Sequence, residues 1–233
     1  MAYKRAAKLD PSCEQPLVRI SFIYCLKWNR DGEAGEWARQ GLALKPKDCY
    51  GKLVAALCNR DLDLRVGELQ ALIEEMPEYA RPYNGLGNAF YNKKNYEDAI
   101  NSYKKCIEVN GQYEHPYYGL GSIYNQLGDL DQSIIWYRRC IEISPNYDYP
   151  HYGLGIAYNN KNDMVNAIYY FKECIRINPT YDCPYYALGN IYRLAKDYPQ
   201  AIHHYRQSLQ HKPIDPLCFV NLALTLINVG QYQ

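Results

Sequence analysis

The chain has 233 residues, with 26 basic and 25 acidic side chains and a net charge of +1. That balance sets up no field to draw in nucleic acid or an anionic membrane surface, so neither is an expected partner. No apolar run reaches the roughly 18 residues of a membrane-spanning helix, so no membrane insertion is expected, and the opening MAYKRAAKLDP has no apolar signal core.

Residues 1–13, with AAKLDP at 6–11, read as the end of a helix from a preceding repeat. Residues 14–79 read as two degenerate helix hairpins. The first has Ala34, Gly41 and Pro46 near repeat places, and the second, from Cys49, is shorter and lacks a packing glycine. Then a phrase recurs: YARPYNGLG, YEHPYYGLG, YDYPHYGLG and YDCPYYALG start at Tyr79, Tyr113, Tyr147 and Tyr181, a constant step of 34. A fixed step without insertions marks one structural unit per copy, stacked on the next. The units are 80–113, 114–147, 148–181 and 182–215.

In the first unit Tyr83, Leu86, Gly87 and Phe90 share one helical face, with Pro82 in the first turn. A polar break at Lys93–Asn95 ends that helix. Ala99, Tyr103, Cys106, Ile107 and Val109 then mark a second, stopped by Gly111 as Pro145, Pro179 and Pro213 stop the later ones. Each unit is thus a hairpin with too little apolar area to stand alone. Gly87, Gly121, Gly155 and Gly189 cost a helix about 1 kcal/mol each relative to alanine, which implies close approach of the paired helix. Residues 216–233 read as the first helix of a further repeat, so the expectation is a segment of a longer array.

Nine cysteines are present, and Cys106, Cys140 and Cys174 fall at equivalent places of successive second helices. They read as small buried thiols. One repeat apart they are too distant to bridge. The absence of a C-x-x-C pair argues against structural zinc. An odd count without a signal peptide suggests a reducing, cytoplasmic setting.

These units resemble the tetratricopeptide repeat from Ala80 to Asp215. Tyr117, Leu120, Gly121, Tyr124, Ser133, Tyr137, Cys140 and Pro145 fall where that family carries W-L-G-Y-A-F-A-P. The next unit holds His151, Leu154, Gly155, Tyr158, Ala167, Phe171, Cys174 and Pro179 there, and the last matches from Tyr185 to Pro213. The resemblance implies an all-α fold, an α-solenoid of helix hairpins wound as a right-handed superhelix. It also implies a concave binding face built mainly from the first helices.

Carried over, that face comprises Asn84, Asn88, Tyr91 and Asn92, then Tyr118, Ser122, Asn125 and Gln126, then Tyr152, Asn159 and Asn160, and finally Tyr186, Asn190 and Arg193. Gly85, Gly119, Gly153 and Ala187 would form a trough of small residues between them. Carboxamides donate and accept together, which suits a peptide backbone. Tyrosines suit apolar or proline-containing side chains. Members that clamp a chaperone's terminal carboxylate carry lysine at the fifth place of a repeat and asparagine or arginine at the sixth. Here those places hold Asn84, Tyr118, Tyr152 or Tyr186 and small residues, so that specificity is not expected.

The remaining chemistry is sparse. The GLG triplets lie inside helices and follow no strand, so they are packing glycines rather than a phosphate loop. His203, His204 and His211 lack metal-ligand spacing. Asp129, Asp131, Asp148 and Asp163 suit turns and helix starts. Lys104, Lys105, Arg138, Arg139, Lys172 and Arg206 read as a solvated outer face, with Glu108 and Glu142 placed to pair with Lys104 and Arg138. No catalytic residues, cofactor or metal are expected. The sequence points to a non-enzymatic scaffold that binds another protein, as an extended peptide or a partner helix. The alternatives are the regulatory or substrate-selecting repeats of a larger transferase or phosphatase, and a homo-oligomer formed through open array edges.

Overall fold

A computed structural model describes residues 49–230, and among them the chain is helix and turn throughout. The helices are α1 (Cys49–Leu57), α2 (Leu62–Glu75), α3 (Ala80–Asn92), α4 (Tyr96–Val109), α5 (His115–Leu127), α6 (Leu130–Ile143), α7 (Asp148–Asn160), α8 (Met164–Ile177), α9 (Asp182–Leu194), α10 (Tyr198–His211) and α11 (Pro216–Asn228). This is the expected all-α solenoid of helix hairpins. The elements expected at 1–13 and 14–48, and the last three residues of 216–233, lie outside the described residues. Contacts gather into two compact units, one ending at Gly119 and the other beginning at Leu120. In the first, α2 packs on α1 and α3, and α3 on α4; in the second, each helix from α6 to α11 packs on the next.

Second helices open on a polar cap. Asp61, Asn95, Asp129, Asp163 and Asp197 stand before α2, α4, α6, α8 and α10, and each accepts from a backbone N–H of the first turn. Asp131 and Asp148 lie in the first turns of α6 and α7 as expected, where Asp131 pairs with Lys161 and Asp148 accepts from Asn178 Nδ2 at 2.6 Å. The first helices α3, α7 and α9 have no side-chain cap and start on the buried prolines Pro82, Pro150 and Pro184. One residue further, the hydroxyls of Tyr83, Tyr117 and Tyr185 donate to the carbonyls of Pro77, Gly111 and Pro179 at 3.1, 3.0 and 3.0 Å. His151 keeps the same tie with Nε2 3.1 Å from the Pro145 carbonyl, and burial holds its imidazole below the ordinary pKa. A neutral ring with the proton on Nε2 replaces the phenol there.

The polar breaks between helices contain a left-handed residue. Lys94, Gly128, Asn162, Lys196 and Gly230 occupy the same place of successive repeats, with φ of 59°, 81°, 59°, 61° and 69°. One such residue turns the chain from first helix to second. Glycine and asparagine adopt that conformation readily, whereas a lysine there is strained by about 1 kcal/mol.

The helical glycines answer to a ring. A Cβ on Gly87, Gly121, Gly155 or Gly189 would fall 2.5, 2.6, 2.5 or 2.6 Å from the ring of Tyr103, Tyr137, Phe171 or Tyr205, each on the paired second helix. Two of those rings press equally on the following first helix, where a Cβ on Gly119 or Gly153 would lie 2.4 Å from the Cζ of Tyr103 or Tyr137. The expected trough is corrected accordingly. Gly119 and Gly153 are buried under tyrosine rings, and Gly85 is buried against Leu57 and Leu69. The space beside these three glycines is already filled by the neighbouring helix.

Cys106, Cys140 and Cys174 are fully buried, and Cys106 Sγ lies 3.1 Å from the Ala80 carbonyl. Burial pushes the thiols of Cys106 and Cys174 up to about 12. Almost no thiolate exists at neutral pH, and the thiolate is the reactive form. Iodoacetamide at pH 8 should therefore leave both unmodified in the folded chain and label them once it is unfolded, read by mass spectrometry. Labelling of folded Cys106 at the rate of an open thiol would contradict this packing.

The basic residues of the second helices are exposed, with partners other than those expected. Glu108 pairs with Lys105 at 2.8 Å and Glu142 with Arg139 at 3.3 Å, rather than with Lys104 and Arg138. Arg138 instead donates to the Tyr158 hydroxyl at 2.7 Å. No described helix is long and apolar enough to cross a membrane.

Candidate partner-binding site

Most polar residues of the ninth place serve the rings. The Tyr103 hydroxyl donates to Asn88 Oδ1 at 2.6 Å, and the Tyr205 hydroxyl to Asn190 Oδ1 at 2.7 Å. Ser122 Oγ and the Tyr137 hydroxyl are 3.2 Å apart. The fourth pair is apolar, Phe171 with Ile156. Hydroxyl and partner are gained or lost together, because either alone would leave a polar group unsatisfied. Asn190 Oδ1 also receives Asn221 Nδ2 at 3.1 Å, which lies 2.9 Å from the Tyr186 hydroxyl. The Asn88 and Asn190 oxygens are thus committed internally.

In the second unit, helices α7, α8 and α9 border an open recess of about 170 Å³. Tyr152, Ile156 and Asn159 come from α7, Phe171 from α8, and Tyr186, Ala187, Asn190, Ile191 and Leu194 from α9. Four expected site residues, Tyr152, Asn159, Tyr186 and Asn190, are thereby brought together. Tyr152 is held by its neighbours, with ring centroids 5.7 Å from Phe171 and 5.3 Å from Tyr181. Tyr186 lies 6.0 Å from Tyr205. Stiff aromatic walls and a carboxamide rim form a preformed recess without charge.

The first unit holds a larger cavity of about 340 Å³, faced by Tyr50, Leu53 and Leu57 of α1, Arg81, Asn84 and Asn88 of α3, and Tyr113. Asn84 is only 7% exposed and its Oδ1 has no hydrogen-bond partner among the described residues, so it is a wall residue rather than an open contact. Burial raises the Tyr113 phenol to about 12 and carries that of Tyr103 well above its ordinary range, so both stay neutral.

The other expected residues lie apart from these cavities. Tyr91 is half-buried 5.9 Å from Tyr96, Asn92 is exposed and Tyr118 is half-buried. Ser122 and Asn125 are half-buried, and Gln126 and Asn160 are exposed. Arg193 is half-buried beside Tyr205, opposing the rise that burial gives that phenol. Sequence reasoning assigns Phe171 to packing alone and passes over Arg81 and the α1 residues. Phe171 was signalled by its missing hydroxyl, whereas 49–79 is too divergent to index.

Comparison with known families places most of residues 80–215 in one of them. The tetratricopeptide repeat profile matches residues 80–113 and 184–215, a second such profile matches 150–181, and a TPR repeat profile matches 121–162. Together they span more than half of the chain. No curated protein matches the sequence. The crystal structure of MamA superposes with a TM-score of 0.59 at 22% identity, over 66% of this chain and 90% of that one. The crystal structure of the APC/C hetero-tetramer Cut9–Hcn1 superposes with a TM-score of 0.79 at 15% identity, over 97% of this chain and 45% of that one. This chain therefore spans less than half of the Cut9–Hcn1 chain that it matches. At these identities the likeness is one of fold.

Proposed function

This chain belongs to the tetratricopeptide repeat family, a family of protein-interaction scaffolds, and from that premise we propose that it holds an extended peptide segment of a partner protein along α7 and α9. The observation that carries this reading is the second-unit cavity, where Tyr152, Asn159, Tyr186 and Asn190 converge. Asn159 can both donate to and accept from a peptide backbone, and Asn190, with its oxygen committed to Tyr205 and Asn221, can donate to one. The tyrosines flank a recess for a side chain. With no charged residue lining the cavity, affinity comes from contact and hydrogen bonds rather than long-range steering. The role is recognition without catalysis.

Twelve-residue peptides selected from a random display library on the full chain supply the probe. Tyr152→Ala with Asn159→Ala should weaken a selected peptide by about tenfold or more, since a buried tyrosine anchor contributes about 2 kcal/mol and a hydrogen bond about 1 kcal/mol. The melting temperature should stay within a few degrees of the parent. If melting falls in step with affinity, these residues are packing and the reading fails.

A further inference from the structure

We infer that the second-unit cavity is an anchor for one uncharged aliphatic side chain of the partner segment, opened by a local change of the ring set to Phe171, Ile156 and Ala187. The inference rests on the reading of this face as the partner-binding one, and it adds which side chain that face selects.

The ring set comprises the aromatic of a second helix, the ninth residue of its own first helix and the sixth residue of the next. Tyr103, Asn88 and Gly119 make one such set, and Tyr137, Ser122 and Gly153 another. In both, a hydroxyl finds a polar partner and the tip of the ring lies against a glycine. Phe171, Ile156 and Ala187 depart from that pattern at all three places at once. No hydroxyl points outward, no acceptor waits for it, and a methyl group stands where the glycine was.

The fold does not require this departure, because the other sets serve the same packing without it. Its consequence is local. Phe171 backs a recess with its ring wholly buried, whereas Tyr103, Tyr137 and Tyr205 line neither of the two described ones. The recess has Ile156 and Ala187 as apolar walls in front of the buried Phe171 ring, with Leu194 68% exposed. A charged side chain entering it would lose hydration and meet no counter-charge. A branched aliphatic side chain would exchange water for those walls, while Asn159 and Asn190 remain at the rim for the adjoining backbone.

The full chain carrying isotope-labelled isoleucine methyl groups tests this by NMR, with N-acetyl-leucine N-methylamide and N-acetyl-lysine N-methylamide as probes. The leucine compound should shift the Ile191 methyl signal saturably and bind about tenfold more tightly than the lysine compound. Phe171→Tyr, Ile156→Asn and Ala187→Gly together copy the Tyr103 set, and should abolish the leucine-induced shift with the fold retained. Ala187→Leu, which fills the recess and leaves the ring pair alone, should do the same and serves if the triple variant unfolds. Equal binding of the two compounds, or an undiminished leucine response in both variants, would overturn the inference. A selected peptide that stays sensitive to Tyr152→Ala in the triple variant would leave the partner-binding reading standing while the anchor falls. Insensitivity to Tyr152→Ala in the parent chain would sink both.

Discussion

Tyr137→Ala lowers the stability of the second unit by about 4 kcal/mol, near the upper end for an aromatic core truncation. The ring is 3% exposed and lies between Gly121 and Gly153, whose ideal Cβ positions fall 2.6 and 2.4 Å from its carbons. Walls made of glycine cannot relax into the hole, since they carry no side chain that could swing inward. The cavity therefore persists, and its volume adds to the lost transfer energy. Ser122 also loses its hydroxyl partner at 3.2 Å. Tyr137→Phe, which removes only that bond, should cost about 1 kcal/mol. Urea unfolding of the full chain followed by circular dichroism measures both. A loss for Tyr137→Ala below about 2 kcal/mol would mean that the hole collapses after all.

The second large effect comes from adding one carbon. Gly153→Ala should destabilise by about 2 kcal/mol net, although the same exchange in an open helix stabilises by about 1 kcal/mol. The new methyl group would meet the Tyr137 Cζ at 2.4 Å, and the ring cannot retreat because Gly121 backs its other side. Gly67, in α2, has no atom within 4 Å of its ideal Cβ, so Gly67→Ala should show the opposite sign, a gain of about 1 kcal/mol. Measured side by side, the two exchanges separate helix propensity from ring contact. A gain at Gly153 would show that the ring moves freely and that the glycine is incidental.

Much of the fold was legible because repetition makes weak signals add. A single Leu-Gly pair means little, whereas Leu86-Gly87, Leu120-Gly121, Leu154-Gly155 and Leu188-Gly189 at one step specify a hairpin. Asp129 and Asp163 read as caps because an aspartate at the end of a polar break has few other uses. The left-handed residue of each turn was hidden, since Lys94 and Lys196 do not advertise the conformation that Gly128 and Gly230 do.

The site was legible only in part. A glycine reports that something comes close without saying whether that is a ligand or a ring from the preceding hairpin. Gly119 and Gly153 were therefore mistaken for a floor. Asn88, Ser122 and Asn190 look available by residue type, yet their oxygens answer tyrosine hydroxyls fifteen residues on. That signal was present as a covariation inside the chain, Tyr with Asn, Tyr with Ser, Phe with Ile and Tyr with Asn. Asn84 differs from its counterparts for a further reason, because the hairpin before it has Leu57 and Leu69 against the neighbouring Gly85.

A ring that lies between two first helices belongs to two repeats at once, and this limits how the array can be shortened or lengthened. Cutting out residues 148–181 would set Tyr137 against Ala187, adding a methyl group where Gly153 now leaves room. Copying 148–181 in tandem would set a Phe171 ring at a Gly153 backbone, with one methyl group fewer than Ala187 supplies at that place. Duplication and loss at this point each create a mismatch that the 34-residue step does not reveal. The order of the repeats is written in the sizes of the side chains at their joins.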